Sequence, residues 1–274
     1  MRYVTNLNDY LSLYFNEYLD VNKLAFAHED NLDYLLEQEI FDNFENWDST
    51  DKYCLLADLC YNGKYLTQNH ARAMELYDIG ISKDSVYCMY KKANILIDSK
   101  DLEYEEAFTL LSKASDLGYA PAINTLGWMY SRGLGCKLDT AKAFELYKKA
   151  SSLGSKTAMV NYAKMLLEND EYEEGFKYLN KAANLKSVYA YITLGYLYYY
   201  GKYIDVNYEK AYEYYRLAAL EDDSIAFKYL AEMYRYGYHV SKDIAMATFL
   251  YKESIRLGYD NSKRELARML IENE

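Results

Sequence analysis

This sequence has a single proline, three histidines and four cysteines in 274 residues. One proline excludes a proline-rich linker and argues against an all-β fold punctuated by tight turns. The cysteines (Cys54, Cys60, Cys88, Cys136) fit neither zinc-ligand spacing nor a disulfide framework, so they read as reduced thiols filling small core positions in a reducing, cytoplasmic compartment. No stretch approaches the roughly 18 apolar residues of a membrane span. The richest run, Tyr189 to Tyr200, ends at Gly201 and Lys202. Asp9, Glu17 and Asp20 interrupt the first twenty residues, which do not read as a signal peptide. Positive charge is also scarce. A net charge of −11 leaves no clustered basic surface for phosphate backbones, so no nucleic-acid or membrane partner is expected.

What is present is apolar residues, 51% of the chain, and tyrosine, 35 of them. That is enough for a sizeable core. The acidity is concentrated: residues 1–50 hold eleven acids against Arg2 and Lys23, a balance of −9. Leu, Phe and Tyr interleave with those acids, so the segment reads as helical (to about Tyr18, then roughly 21–46) rather than as a solvated tail. Glu37, Asp42 and Glu45 are its candidate contacts for a basic partner.

Self-comparison organises the rest. Lys52, Cys88, Ala122, Ala158, Ala190, Ala226 and Ser262 start successive copies of one pattern. Five residues on stands a small residue: Ala57, Ala93, Gly127, Ala163, Gly195, Ala231, Ala267. Seven on stands a large apolar one: Leu59, Ile95, Met129, Met165, Leu197, Met233, Met269. Offsets 0, 4, 5, 7 and 8 share one helical face, which defines a helix A. A helix B follows, with small residues at Ala73, Ala107, Ala143, Gly175, Ala211 and Ala247, and bulky ones three and four positions later. Asn69, Glu103, Asp139, Glu171, Asn207 and Asp243 precede each B helix where an N-cap belongs. Gly63, Gly133, Gly201 and Gly237 end four of the A helices; repeats two and four lack that glycine and have shorter A-to-B loops.

Small residues let paired helices approach closely, and no pair can bury its face alone. Stacked pairs share a continuous core, so the expected fold is an all-α solenoid of about six helix-turn-helix repeats. Residues 1–51 form an acidic helical cap, and 262–274 a polar closing helix carrying Lys263, Arg264, Arg268 and Glu272. Gly127 and Gly195 lie mid-helix, where glycine is unfavourable, so a packing reason is expected for each.

These motifs resemble the Sel-1-like repeat family, relatives of the tetratricopeptide repeats. Repeat three carries the resemblance best, through Ala122, Leu126, Gly127, Tyr130, Gly133, Gly135, Asp139, Lys142, Ala143, Tyr147, Lys149, Ala150 and Gly154. The resemblance covers about 52–274. It implies a right-handed superhelix whose concave face is lined by the A helices, and non-catalytic work as a scaffold or binding protein.

The side of helix A away from its packing face carries offsets 3, 6 and 10. These are Thr125, Trp128 and Arg132; Asn161, Lys164 and Glu168; Thr193, Tyr196 and Tyr200; Tyr229, Glu232 and Tyr236. Trp, Tyr and Arg dominate interface energetics, so Trp128, Arg132, Lys164, Tyr196, Tyr200, Tyr229, Glu232 and Tyr236 are the candidate partner-binding residues. The bland alternative is that tyrosine is this chain's ordinary half-buried filler. His28, His70 and His239 lie far apart, no phosphate loop or zinc-peptidase motif occurs, and acid pairs such as Glu105/Glu106 sit at helix starts. No catalytic, metal or cofactor site is expected. The leading reading is a protein-binding scaffold, and the acidic segment favours a partner protein of basic character. The rivals are an immunity protein that neutralises a basic toxin and, more remotely, a hydrolase.

Overall fold

A computed structural model describes residues 51–63, 67–99 and 103–272. Residues 1–50, and with them the acidic cap and Glu37, Asp42 and Glu45, lie outside the described residues. Among those described, every regular element is an α-helix. The A helices are α1 (Asp51–Asn62), α3 (Val86–Asp98), α5 (Ala120–Arg132), α7 (Lys156–Glu168), α9 (Val188–Tyr200), α11 (Ser224–Tyr236) and α13 (Asn261–Glu272). The B helices are α2 (His70–Ser82), α4 (Tyr104–Asp116), α6 (Thr140–Ser152), α8 (Tyr172–Asn184), α10 (Tyr208–Ala219) and α12 (Ile244–Arg256). The architecture is a helical-repeat solenoid.

The turns explain why so short a motif repeats. Each B helix begins at the anticipated N-cap. Asn69, Asp139, Asn207 and Asp243 accept the amide three residues on, whereas Glu103 and Glu171 make no side-chain cap bond. The amides of Asn69, Asp139, Glu171, Asn207 and Asp243 donate to the carbonyls of Cys60, Tyr130, Leu166, Tyr198 and Tyr234, all at offset 8 of the preceding A helix. Loops of different length therefore return to the same carbonyl, and shortening the loop in repeat four leaves both helices in place. Asp170, with φ of 64°, takes the left-handed turn there.

At the other turn the chain passes through a left-handed residue in all six repeats: Asp84, Gly118, Gly154, Lys186, Asp222, Gly258. The next amide then bonds back to Gly80, Ala114, Ala150, Ala182, Ala218 or Ser254. This is a Schellman-type closure. Ser85, Ser155, Ser187 and Asp223 cap the A helices that follow, a signal present in the sequence three residues before the aligned positions.

The described chain divides into two compact bodies: one comprising residues up to 122 with 133–138, the other residues 123–132 with 139 onward. In the first, Cys54, Leu56, Ala57, Leu59 and Cys60 of α1 close on Ala73, Leu76 and Tyr77 of α2 and on Cys88 of α3. The buried carboxylate of Asp58 sits in this core. Tyr77 Oη donates to it, Lys91 Nζ pairs with it at 2.9 Å, and Tyr87 Oη reaches it at 3.4 Å. In the second body, Ala163, Leu194, Leu197, Tyr215, Leu230, Met233 and Tyr251 belong to one continuous core. At the closing helix the pattern loosens. Met269 and Ser262 are buried, but Ala267, at the small-residue position, is exposed, because no B helix follows to cover it among the described residues.

Candidate functional site

The candidate residues lie in the second body, on α5, α7, α9 and α11. Their positions on the A helices put them beside one another in successive repeats, and two groupings result.

At the α5/α7 end, the Arg132 guanidinium lies 5.5 Å from the centre of the Trp128 ring. Lys164 Nζ donates to Tyr189 Oη and lies over that ring at 4.1 Å. Asn161 Nδ2 donates to Asn124 Oδ1 at 3.0 Å, and Tyr189 Oη donates to Asn161 Oδ1 at 3.4 Å. Among the described residues neither Arg132 nor Lys164 has a carboxylate partner.

At the α9/α11 end the rings form one cluster. Tyr196 and Tyr200 pack at 4.7 Å, and Tyr200 and Tyr229 meet edge-on at 6.3 Å. Tyr229 stacks face to face on Tyr215 at 4.7 Å. Tyr199 touches Tyr200, Tyr208, Tyr215, Tyr229 and Tyr238. Tyr196, Tyr200 and Tyr236 keep 40%, 51% and 49% of their surface exposed. Burial pushes the phenols of Tyr199, Tyr215 and Tyr229 upward in pKa, and the Glu232 charge pushes them in the same direction. All three stay neutral.

The structure corrects part of the free-face expectation. Thr193 is buried and donates to the Tyr189 carbonyl. Tyr229 is half-buried, because its ring faces Tyr215 rather than solvent. The Glu232 side chain is 14% exposed and pairs with Lys228 at 2.9 Å, whose ammonium covers the Tyr229 ring at 3.8 Å. Tyr229 leans back on the preceding repeat, which offset counting on one helix cannot reveal.

Arg235, which the pattern did not single out, is 3% exposed. It binds Glu272 at 2.6 Å and Glu265 at 3.5 Å, and its guanidinium lies 4.9 Å from the Tyr236 ring centre. Two of the acids on the closing helix are therefore partners of a buried arginine, although Glu272 remains exposed. Among the described residues no three His, Cys, Asp or Glu side chains gather as metal ligands. His70 packs on Tyr61 and His239 on Tyr212. No helix among those residues is long and apolar enough to cross a membrane.

Stacked hairpins with small residues at the crossing points define an α-helical repeat protein of the tetratricopeptide-like class. The chain belongs to the Sel1 repeat family, whose model matches residues 53–85, 99–119, 120–155, 157–187, 188–223 and 228–259. Proteins of this family are generally protein-interaction scaffolds. A Sel1 repeat protein from Oxalobacter formigenes has a similar structure, with a TM-score of 0.69 at 18% identity, covering 96% of this chain and 76% of that one. An immunity protein from Pseudomonas aeruginosa gives a TM-score of 0.59 at 19% identity, covering 81% of this chain and 86% of that one. The chitin synthase regulator SKT5 of Saccharomyces cerevisiae is 30% identical over 152 residues, 53% of this chain. The chain spans only 21% of that relative's length.

Proposed function

We propose that the chain is a non-catalytic scaffold that holds a partner protein against the A-helix face of α5, α7, α9 and α11. Trp128, Arg132, Lys164, Tyr196, Tyr200, Tyr229, Glu232 and Tyr236 supply the contacts, and Glu37, Asp42 and Glu45 add negative charge nearer the start of the chain. The observation that carries this reading is the juxtaposition of half-exposed tyrosine rings with two cations, Arg132 and Lys164, that have no carboxylate partner among the described residues. Large aromatic rings with polar tips give contact area at low entropic cost, and cations on aromatic faces are typical anchors. The face is polarised. Its α5/α7 end suits acids on the partner, and its α9/α11 end is aromatic with Glu232.

A specific form of this reading is an immunity protein that neutralises a toxin. The balance of −9 over residues 1–50 and the structural likeness to an immunity protein favour it. Affinity capture from the native host, followed by binding measurements with Trp128→Ala and Tyr200→Ala, tests the face. Each substitution is expected to weaken the captured complex at least tenfold. An affinity within twofold of the parent for both removes the A-helix face from the interface. Binding to a basic toxin must weaken steeply between low and physiological salt, as exposed charge pairs do.

A further inference from the structure

Four B helices place a tyrosine four residues after their first small residue: Tyr77, Tyr147, Tyr215 and Tyr251. Its ring lies against helix A of the same repeat and its hydroxyl is buried. In three repeats helix A brings a polar side chain to that hydroxyl. Asp58 accepts from Tyr77. Ser131 stands beside the Tyr147 hydroxyl while donating to the Trp128 carbonyl. Arg235 brings its guanidinium beside Tyr251 Oη, although Arg235 Nε and Tyr251 Oη make no hydrogen bond. In repeat five the place of Ser131 and Arg235 is taken by Tyr199, which offers only the edge of a ring at 6.3 Å. Tyr215 is wholly buried and its Oη, like Tyr251 Oη, makes no hydrogen bond among the described residues, but where Tyr251 has a guanidinium beside it Tyr215 has only that ring. A buried hydroxyl without a partner is costly and rare enough to demand an explanation.

The surroundings specify what is missing. Around Tyr215 stand the phenols of Tyr229, Tyr200 and Tyr199 and the carboxylate of Glu232, and the cation recorded there, Lys228, is held on Glu232 and the Tyr229 ring. Repeat six shows which side chain the fold places beside such a hydroxyl. There Arg235 lies on the Tyr236 ring, beside Tyr251 Oη, held by Glu265 and Glu272 of the next A helix. Tyr200 stands in repeat five where Tyr236 stands in repeat six, Tyr215 where Tyr251 stands, and Glu232 again comes from the next A helix. Only the arginine is absent.

We propose that the Tyr200–Tyr215–Tyr229–Glu232 cluster is a subsite for an arginine side chain of the partner protein. Its guanidinium stacks on Tyr200, donates to Tyr215 Oη and pairs with the Glu232 oxygen that Lys228 leaves free. The planar guanidinium suits stacked aromatic rings, and it has five donors and no acceptor, so it complements phenol oxygens and a carboxylate together. Entry requires the Tyr200 ring to turn aside. It is half exposed, at the last residue of α9, with Gly201 in the left-handed conformation behind it. The proposal rests on the A-helix-face reading and adds the chemical identity of one anchor.

The probe is an acetylated, amidated Gly-Ser-Arg-Ser-Gly peptide, with citrulline and aspartate versions as comparators. Titrations are followed on ring-labelled tyrosine resonances, with Tyr196, Tyr200 and Tyr229 assigned by phenylalanine substitution. The arginine peptide is expected to produce saturable shifts at these rings, and the other two none. Glu232→Gln and Tyr215→Phe are each expected to weaken binding at least fivefold. Tyr215→Phe should meanwhile keep or raise the melting midpoint, since it deletes an unsatisfied hydroxyl without changing shape. Equal binding of the citrulline or aspartate peptide, or undiminished binding by Tyr215→Phe, overturns the proposal. Captured partner lost by Trp128→Ala yet fully retained by Glu232→Gln overturns the arginine site and leaves the A-helix face standing. Retention by both variants and by Tyr200→Ala overturns both.

Discussion

The ring of Tyr215 on α10 occupies the space that a β-carbon on Gly195 of α9 would need: the carbon would lie 2.6 Å from Tyr215 Cε1. Tyr215 cannot retreat, because Tyr229 stacks on its other face at 4.7 Å. The glycine in the middle of α9 is therefore the cause of this close helix crossing. At Gly127 the same carbon would meet Tyr147 at 3.1 Å, a milder conflict. Alanine is intrinsically better than glycine in a helix by about 0.5–1 kcal/mol, and overpacking costs about 1–3 kcal/mol. Gly195→Ala is expected to destabilise, and Gly127→Ala to be near neutral. Urea denaturation of the two variants decides; a higher midpoint for Gly195→Ala would mean the helices can separate freely.

Asp58 and Asp78 are both paired acids, and they should behave differently. Asp58 is buried and holds Tyr77, Tyr87 and Lys91. Burial and the neighbouring carboxylate push the Tyr87 phenol up to about 12, so it stays a donor. Asp58→Ala leaves the partly buried Lys91 and two phenols unanswered, and a loss of about 3–5 kcal/mol is expected. Asp78 is exposed, and Lys92 retains Glu106 at 2.9 Å when it is removed. Asp78→Ala should cost below about 1 kcal/mol. Equal midpoints for the two variants would contradict the buried network.

The Arg235–Glu272 contact makes the closing helix sensitive to acid. Hydrogen bonds from Arg235, then Arg268, hold the Glu272 carboxyl below its ordinary value against the opposing effect of desolvation. A carboxyl lowered in the folded state stabilises it fully above the unfolded value, near about 4.3, and that contribution is lost as pH falls through the folded value. Hydrogen exchange across Asn261–Glu272 should accelerate below about pH 4, relative to α9, more than intrinsic exchange predicts. Glu272→Gln should remove most of that extra pH dependence. An unchanged acid response in this variant would assign it elsewhere.

Lys186 has φ of 57° at a turn where repeats two, three and six place Gly118, Gly154 and Gly258. A left-handed side-chain-bearing residue costs about 1–2 kcal/mol, part of which glycine forfeits in unfolded-chain entropy. Lys186→Gly is expected to stabilise by about 0.5–1 kcal/mol, measured by chemical denaturation. A loss of stability instead would show that the lysine side chain contributes packing at this turn.

The repeats were legible because their signals are local. The N-caps at Asn69, Asp139, Asn207 and Asp243 and the glycine turns at Gly63, Gly133, Gly201 and Gly237 act within a few residues, and the structure places all of them as read. The A-helix face was legible only in part. Offset counting treats each helix as isolated, so it placed Tyr196, Tyr200 and Tyr236 on an open side but missed that Thr193 is buried, that Tyr229 leans back on the preceding repeat and that Glu232 pairs with Lys228. Arg235 was not singled out, since nothing within its own helix announces the two carboxylates that α13 brings to it.

The amino-acid order alone determined that this chain is a run of helical hairpins, where each begins and ends, and which small residues face their partners. Those outcomes follow from backbone hydrogen bonding and the 3.6-residue period, which need only nearby residues. Tertiary structure decided which of the buried tyrosine hydroxyls are left without a hydrogen bond, which arginine is internal, and which rings stay open to a partner. Each of those depends on side chains from consecutive repeats, about 36 residues apart in sequence, meeting across a helix crossing whose distance a single glycine can set.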